Sequence, residues 1–190
     1  DFQMFEQDVP GENTNGLSFQ QISALPLETC ATINNSWGFN ITDTSYKTPA
    51  QIVSLLVKSA GHGGNLLLNI GPMPNGEIQP EFVDRLHWTG RWMAKYGESI
   101  YHTTGGYLKP QPWGCLTAKK ERLYVHVLQP DAGTIRLAQF PYKKAGKAWL
   151  LKNGAPVAIT LTTDGTAELA APSPTADDPD TVVVIDVSGG

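Results

Sequence analysis

The sequence predicts an α/β segment followed by an all-β segment. Strand-like and helix-like stretches alternate with short connections up to about Thr103, the signature of βα units and a parallel sheet. Beyond that point, short β-branched runs follow one another with turn residues between them, as in an antiparallel sandwich. A third observation is the apolar run Leu66-Leu67-Leu68, closed by Gly71-Pro72. It suits a parallel strand buried on both faces.

Residues 1–26 are polar, punctuated by Pro10-Gly11, Asn13 and Asn15-Gly16, and read as a loop. Residues 28–33 are a short β-prone stretch ending at Asn34-Asn35-Ser36. A helix is expected next, with Thr48 as N-cap and Pro49 at its first position. Ile52, Val53, Leu55, Leu56 and Ala60 form its apolar stripe, and Gly61 ends it. The strand over residues 65–70 follows. A second helix over residues 79–96 carries Phe82, Val83, Leu86, Trp92 and Met93 at helical spacing, with Gly97 as its C′ residue. Later strands are expected at 123–128, 134–137, 148–151, 157–161 and 182–187. Asp131-Ala132-Gly133, Lys152-Asn153-Gly154 and Thr163-Asp164-Gly165 supply turns between them.

Composition narrows the function. The 190 residues are 41% hydrophobic and 17% charged, ordinary for a globular chain with a real core. The net charge of −4 argues against a nucleic-acid partner, which needs a basic footprint. No apolar run approaches the roughly 18 residues that span a membrane. Cys30 and Cys115 lie far apart in apolar surroundings and read as two buried free thiols. His62, His87, His102 and His126 show no metal-ligand grouping, so no metal or other cofactor is expected.

The segment from Glu28-Thr29-Cys30 to Ser36-Trp37-Gly38-Phe39 is a strand running into a loop that bears amides and an aromatic. Strand C-terminal loops carry the site in barrel enzymes. This block resembles one found in the α-L-fucosidases, family 29 of the glycoside hydrolases. The resemblance continues through Gly63-Gly64-Asn65 and Leu68-Asn69-Ile70-Gly71-Pro72, then Asn75-Gly76-Glu77-Ile78. It ends with Arg85-Leu86, Gly90-Arg91-Trp92 and Tyr96-Gly97-Glu98-Ser99-Ile100-Tyr101. Leu27 stands where the family usually has Trp, and Phe39 where it usually has Tyr. Both replacements are expected to reshape the outer pocket.

The resemblance implies that residues 1–103 are the C-terminal part of a (β/α)8-type catalytic barrel and residues 104–190 an antiparallel β-sandwich domain. It implies retaining hydrolysis of terminal α-L-fucose on fucosylated glycans, with a nucleophilic Asp on an earlier strand. No residue here fits that Asp, so the missing N-terminal part of the catalytic domain is an expected partner. The opening at Asp1, with no initiator Met or signal peptide, fits the same reading. Family membership also implies an extracytoplasmic location: periplasmic, secreted or lysosomal.

The family's acid/base lies about 20 residues before the strand, and Asp1-Phe2-Gln3-Met4-Phe5-Glu6 fits its pattern. Glu6 is therefore the first choice for acid/base and Glu28 the second. Trp37 is expected to bind substrate, its face suiting the apolar C–H surface and methyl group of fucose. The sequons Asn34-Asn35-Ser36 and Asn40-Ile41-Thr42 lie beside this loop, which argues against their use. Trp88 and Trp92, four apart on a helix, read as packing. The competing reading is a noncatalytic carbohydrate-binding protein that uses the sandwich, with Trp149 and Tyr124 as the candidate aromatics.

Overall fold

The computed structural model describes residues 1–9, 24–129 and 133–188. They divide into two compact units, residues 1–59 with 64–95, and residues 60–63 with 96–190.

The first unit is built on three parallel strands, β1 (Gln3–Glu6), β2 (Leu27–Thr32) and β3 (Gly64–Asn69), hydrogen-bonded in that order. Helix α1 (Pro49–Gly61) follows β2, and α2 (Pro80–Tyr96) follows β3. The start of α1 is a capping box. The Gln51 amide donates to the Thr48 hydroxyl at 3.2 Å, and the Thr48 amide donates to the Gln51 side-chain oxygen at 2.8 Å. Ile52 of α1 and Phe82 of α2 pack with Ile33 against Leu68 and Ile70. One face of the sheet is thereby covered by helices. Lys47 donates to the Thr32 carbonyl at 2.8 Å, and Arg85 of α2 donates to the Lys47 carbonyl at 2.7 Å. These two bonds fasten the end of β2 to α2.

Three expectations need correction. Residues 1–26 are not all loop, because Gln3–Glu6 forms β1. Only Phe5 of these four is buried, so the strand exists through its pairing with β2 rather than through an apolar pattern. The turn residues read between 10 and 23 lie outside the described residues. Next, β3 is not buried on both faces. It lies at the sheet edge, and Leu67 is 46% exposed while Leu68 packs under the helices. Gly97, finally, does not stop the helical course. It opens a 3₁₀ turn, Gly97–Ser99, whose carbonyl at Gly97 accepts from both Ile100 and Tyr101. The left-handed residue falls at His102, with φ of 59°.

The second unit is all-β. A five-stranded sheet runs in the order β4 (Thr104–Gly105), β5 (Gly114–Lys119), β6 (Arg122–Val127), β11 (Thr181–Ser188), β8 (Lys144–Leu150). A three-stranded sheet runs in the order β7 (Thr134–Leu137), β10 (Ala167–Ala170), β9 (Ile159–Leu161). All these pairings are antiparallel. Leu116, Leu123, Val125 and Ile185 of the first sheet share one buried core with Ile135, Leu137 and Leu169 of the second. Two sheets packed over a common core form a sandwich. The sequence reading missed β4, β5 and β10, because Gly-Cys-Leu-Thr-Ala-Lys and Ala-Glu-Leu-Ala are not β-rich; pairing makes them strands. Both cysteines are free and buried.

The outer face of the larger sheet holds a buried polar chain. His126 Nδ1 lies 2.7 Å from Asp180 Oδ2, and His126 Nε2 lies 3.0 Å from the Thr117 hydroxyl. That hydroxyl also donates to the Ser99 carbonyl at 2.6 Å. A carbonyl only accepts, so the single Thr117 proton points to Ser99 and His126 Nε2 must donate. One further proton lies between Nδ1 and Asp180, which makes the pair neutral overall. Burial pushes the Asp180 carboxyl up and His126 opposes that rise. Removing the imidazole would strand a buried acid. His126→Ala in the full-length protein should cost about 3–5 kcal/mol in urea unfolding; a loss below about 1 kcal/mol would show that the chain does not stabilise the fold.

Candidate active site

Parallel pairing fixes which side chains share a row. Met4, Glu28 and Asn65 are in register, as are Glu6, Cys30 and Leu67 one step further along. Strand side chains alternate between faces, so these rows lie on the face opposite Phe5, Ala31 and Leu68. Met4 and Leu67 are exposed there. Cys30 lies between two carboxylates. Burial, followed by Glu6 and Glu28, pushes its thiol above the usual range, and it donates to Met4 Sδ at 3.2 Å. A thiol held protonated in this way is a poor nucleophile.

Glu6 is the last residue of β1 and is exposed. Glu28 is the second residue of β2 and is half-buried. The two carboxylates therefore share a face but not a depth, with Glu6 at the C-terminal rim and Glu28 nearer the opposite end. Trp37 stands in the loop after β2, 42% exposed, and its indole N–H donates to Glu6 Oε1 at 3.2 Å. The structure thus brings together Glu6 and Trp37, and leaves Glu28 one row below them.

The loop bearing Trp37 is folded by Asp43. Its carboxylate accepts from the Asn35 amide at 2.8 Å, the Ser36 hydroxyl at 3.2 Å and the Ser45 amide at 3.1 Å. Desolvation alone would raise this carboxyl, but the donors outweigh it and hold the group below its usual range. From the other side, Asn69 at the end of β3 donates to the Trp37 carbonyl at 2.7 Å. Gly71 approaches the same loop so closely that a Cβ there would lie 2.5 Å from the Gly38 carbonyl carbon. Gln7, left-handed at φ 59°, turns the chain after β1 and bonds the Thr32 amide and hydroxyl.

Asp43 and Asn69 were not singled out by sequence reasoning. Asn69 sits inside the Leu68-Asn69-Ile70-Gly71-Pro72 motif, and Asp43 lies seven residues after Ser36 in a polar loop, where no local spacing marks a partner. Leu27 is a correction. It is buried at the first position of β2, on the face opposite Glu28 and beside Gly64, so it does not border the Trp37 loop. The aromatics of the binding-protein reading also fare differently from expectation. Tyr124 is buried with its hydroxyl on Glu98 at 3.2 Å, and Trp149 carries the Arg122 guanidinium 5.6 Å from its ring centre. Neither ring is a bare platform. Among the described residues, no group of three His, Cys, Asp or Glu is placed to hold a metal ion.

A family model described as α-L-fucosidase matches residues 1–98, which include Glu6, Glu28, Trp37 and Asn69. The chain belongs to the α-L-fucosidase family. The plasma α-L-fucosidase of Homo sapiens is 36% identical over 121 residues, covering 58% of this chain and 26% of that protein. Among solved structures, α-L-fucosidase isoenzyme 1 from Paenibacillus thiaminolyticus matches with a TM-score of 0.81 and 33% identity, over 100% of this chain and 45% of that one. The Thermotoga maritima α-fucosidase in complex with fucose matches with a TM-score of 0.72 and 25% identity, over 86% and 40%. The chain spans about a quarter of the length of the curated relatives it matches.

The Asp43 turn makes a pH-dependent prediction for this fucosidase-family loop. A carboxyl lowered in the fold stabilises it above its ordinary value of about 3.9, and that contribution is lost as pH falls through the lowered folded value. Protection of the Asn35 and Ser45 amides from hydrogen exchange, relative to an unstructured amide at the same pH, should hold down to about pH 4 and fall below it. Asp43→Ala should speed exchange at both amides about tenfold at neutral pH. Unchanged exchange in the variant would remove Asp43 from the loop's support.

Proposed function

We propose that this chain supplies the acid/base side of a retaining α-L-fucosidase, and that Glu6 is the acid/base. The observation that carries the reading is the pairing of an exposed carboxylate at the C-terminal end of β1 with the Trp37 indole N–H. Sites of parallel-strand barrels lie at that end of the strands. Glu28, deeper and nearer the other end, suits support of the strand better than proton transfer. Family membership and the fucose-bound structure among its matches support the sugar.

In this reading residues 1–103 are the closing part of a (β/α)8 barrel and residues 104–190 its companion sandwich domain. An upstream Asp attacks the anomeric carbon while the Glu6 carboxyl gives its proton to the departing glycosidic oxygen. The resulting carboxylate then takes a proton from the water that attacks the same carbon, releasing fucose with retained configuration. The exposed face of Trp37 meets the apolar side of the sugar while its N–H stays on Glu6. The remaining barrel strands pair with the open edges of the sheet. An extracytoplasmic location accords with the plasma enzyme among the relatives, and no helix of the described residues is long and apolar enough to cross a membrane.

An acid matters most when the leaving group is poor. In the full-length enzyme, Glu6→Ala should slow hydrolysis of alkyl or glycosyl fucosides at least a hundredfold, and that of nitrophenyl fucosides far less. Azide should rescue the variant and yield a fucosyl azide of retained configuration. Rescue of Glu28→Ala, with Glu6→Ala near wild type, would exchange the two assignments. Separately, the 190-residue segment alone should show no turnover of nitrophenyl fucoside, and measurable turnover would refute the need for an upstream nucleophile.

A further inference from the structure

We infer that Asn69 is a positioning residue for the Glu6 carboxyl, acting through Trp37; this rests on the acid/base reading above. The geometry runs in one line across the sheet. Asn69, the last residue of β3 and on the same face as Glu6, holds the Trp37 carbonyl at 2.7 Å. Trp37 in turn holds Glu6 Oε1 through its indole N–H at 3.2 Å. A residue on the third strand is thereby linked to a carboxylate on the first, across β2 between them.

An indole nitrogen is a donor only. While it points at Oε1, that oxygen accepts, and the exchangeable proton of a protonated Glu6 is directed to Oε2. The bond therefore chooses which oxygen faces the leaving group as well as limiting rotation of the carboxyl. It works only if the indole is fixed, and the indole stands in a loop, not on a strand. Asn69 supplies one anchor. Gly71 supplies a second, because its backbone lies against the Gly38-Phe39 peptide where any Cβ would collide. This gives the Asn69-Ile70-Gly71 stretch a role that burial does not explain, since Asn69 is only half-buried.

The test compares leaving groups in the full-length enzyme. Asn69→Ala should lower kcat on an alkyl fucoside about tenfold or more, but less than about threefold on a nitrophenyl fucoside, whose departure needs little acid. Trp37→Phe keeps the ring and removes the N–H, so it should give the same selective loss even if Asn69→Ala folds poorly. Adding Asn69→Ala to Trp37→Phe should then cost little more, because both act on one bond. Equal losses on both substrates, or fully additive effects, would reduce Asn69 to a structural support and overturn the inference. Glu6→Ala, run alongside, separates the two failures. If it lacks the leaving-group dependence and azide rescue, the acid/base reading itself falls. If it shows them while Asn69→Ala and Trp37→Phe do not, only the positioning role falls.

Discussion

The parallel register of β1, β2 and β3 is the constraint on which the candidate site depends. Because side chains alternate between faces, a shift of one residue would send Glu6, Cys30 and Leu67 under the helices and bring Phe5, Thr29 and Leu66 out. Packing forbids that shift. Ile52 and Phe82 need the apolar surface of Leu68 and Ile33, and they could not bury a carboxylate in its place without a large desolvation cost. The face that carries Glu6 is thus fixed by the one the helices cover. Everything chemical in this unit follows from that.

Given the register, depth along the strands separates two carboxylates that sequence alone treats alike. Glu28 ↔ Met4 and Glu6 ↔ Cys30 are neighbouring rows, roughly 6–7 Å apart along the strand direction. That step moves Glu6 to the rim, where the loop after β2 can reach it, and leaves Glu28 below. Trp37 follows that loop and meets the first carboxylate it can reach. Asp43 and Asn69 then hold the loop from opposite sides, one through backbone amides and the other through a backbone carbonyl. Holding by backbone groups constrains the path of the loop, and the bond to Glu6 then sets the indole while one face of the ring stays open.

Much of this was legible in the sequence where the signal is local. Thr48 and Pro49 marked the start of α1, and the spacing of Phe82, Val83 and Leu86 marked α2. The motif blocks from Glu28 to Tyr101 named the family because their order and spacing act together. What could not be read is whatever depends on pairing across distance. β1 has one buried side chain and no pattern of its own. The role of Asn69 requires knowing that Trp37 lies beside it, 32 residues away in sequence. Leu27 shows the same limit: its departure from the family pattern is visible in the sequence, but its burial on the face opposite Glu28 depends on the register of β2.

The leucines of β3 carry the last step. An Asn-Leu-Leu-Leu-Asn run reads as a strand enclosed on both sides, yet here Leu67 is open while Leu66 and Leu68 are partly covered. A parallel sheet is ordinarily covered on both faces, and β1 and β3 are the outer strands of this one. In the proposed barrel one and the same segment answers both conditions. Further parallel strands joining β1 to β3 the long way round would pair both edges and also enclose Met4, Cys30 and Leu67 as interior side chains. Glu6 would then stand at the mouth of a filled interior, where low polarity beneath it strengthens its bond to the Trp37 indole. An added helix or loop over the open face would cover Leu67 too, but it would leave the strand edges bare and bury the carboxylate. In the proposed barrel, closure of the sheet on itself would hide the leucine and keep Glu6 in reach of solvent and sugar.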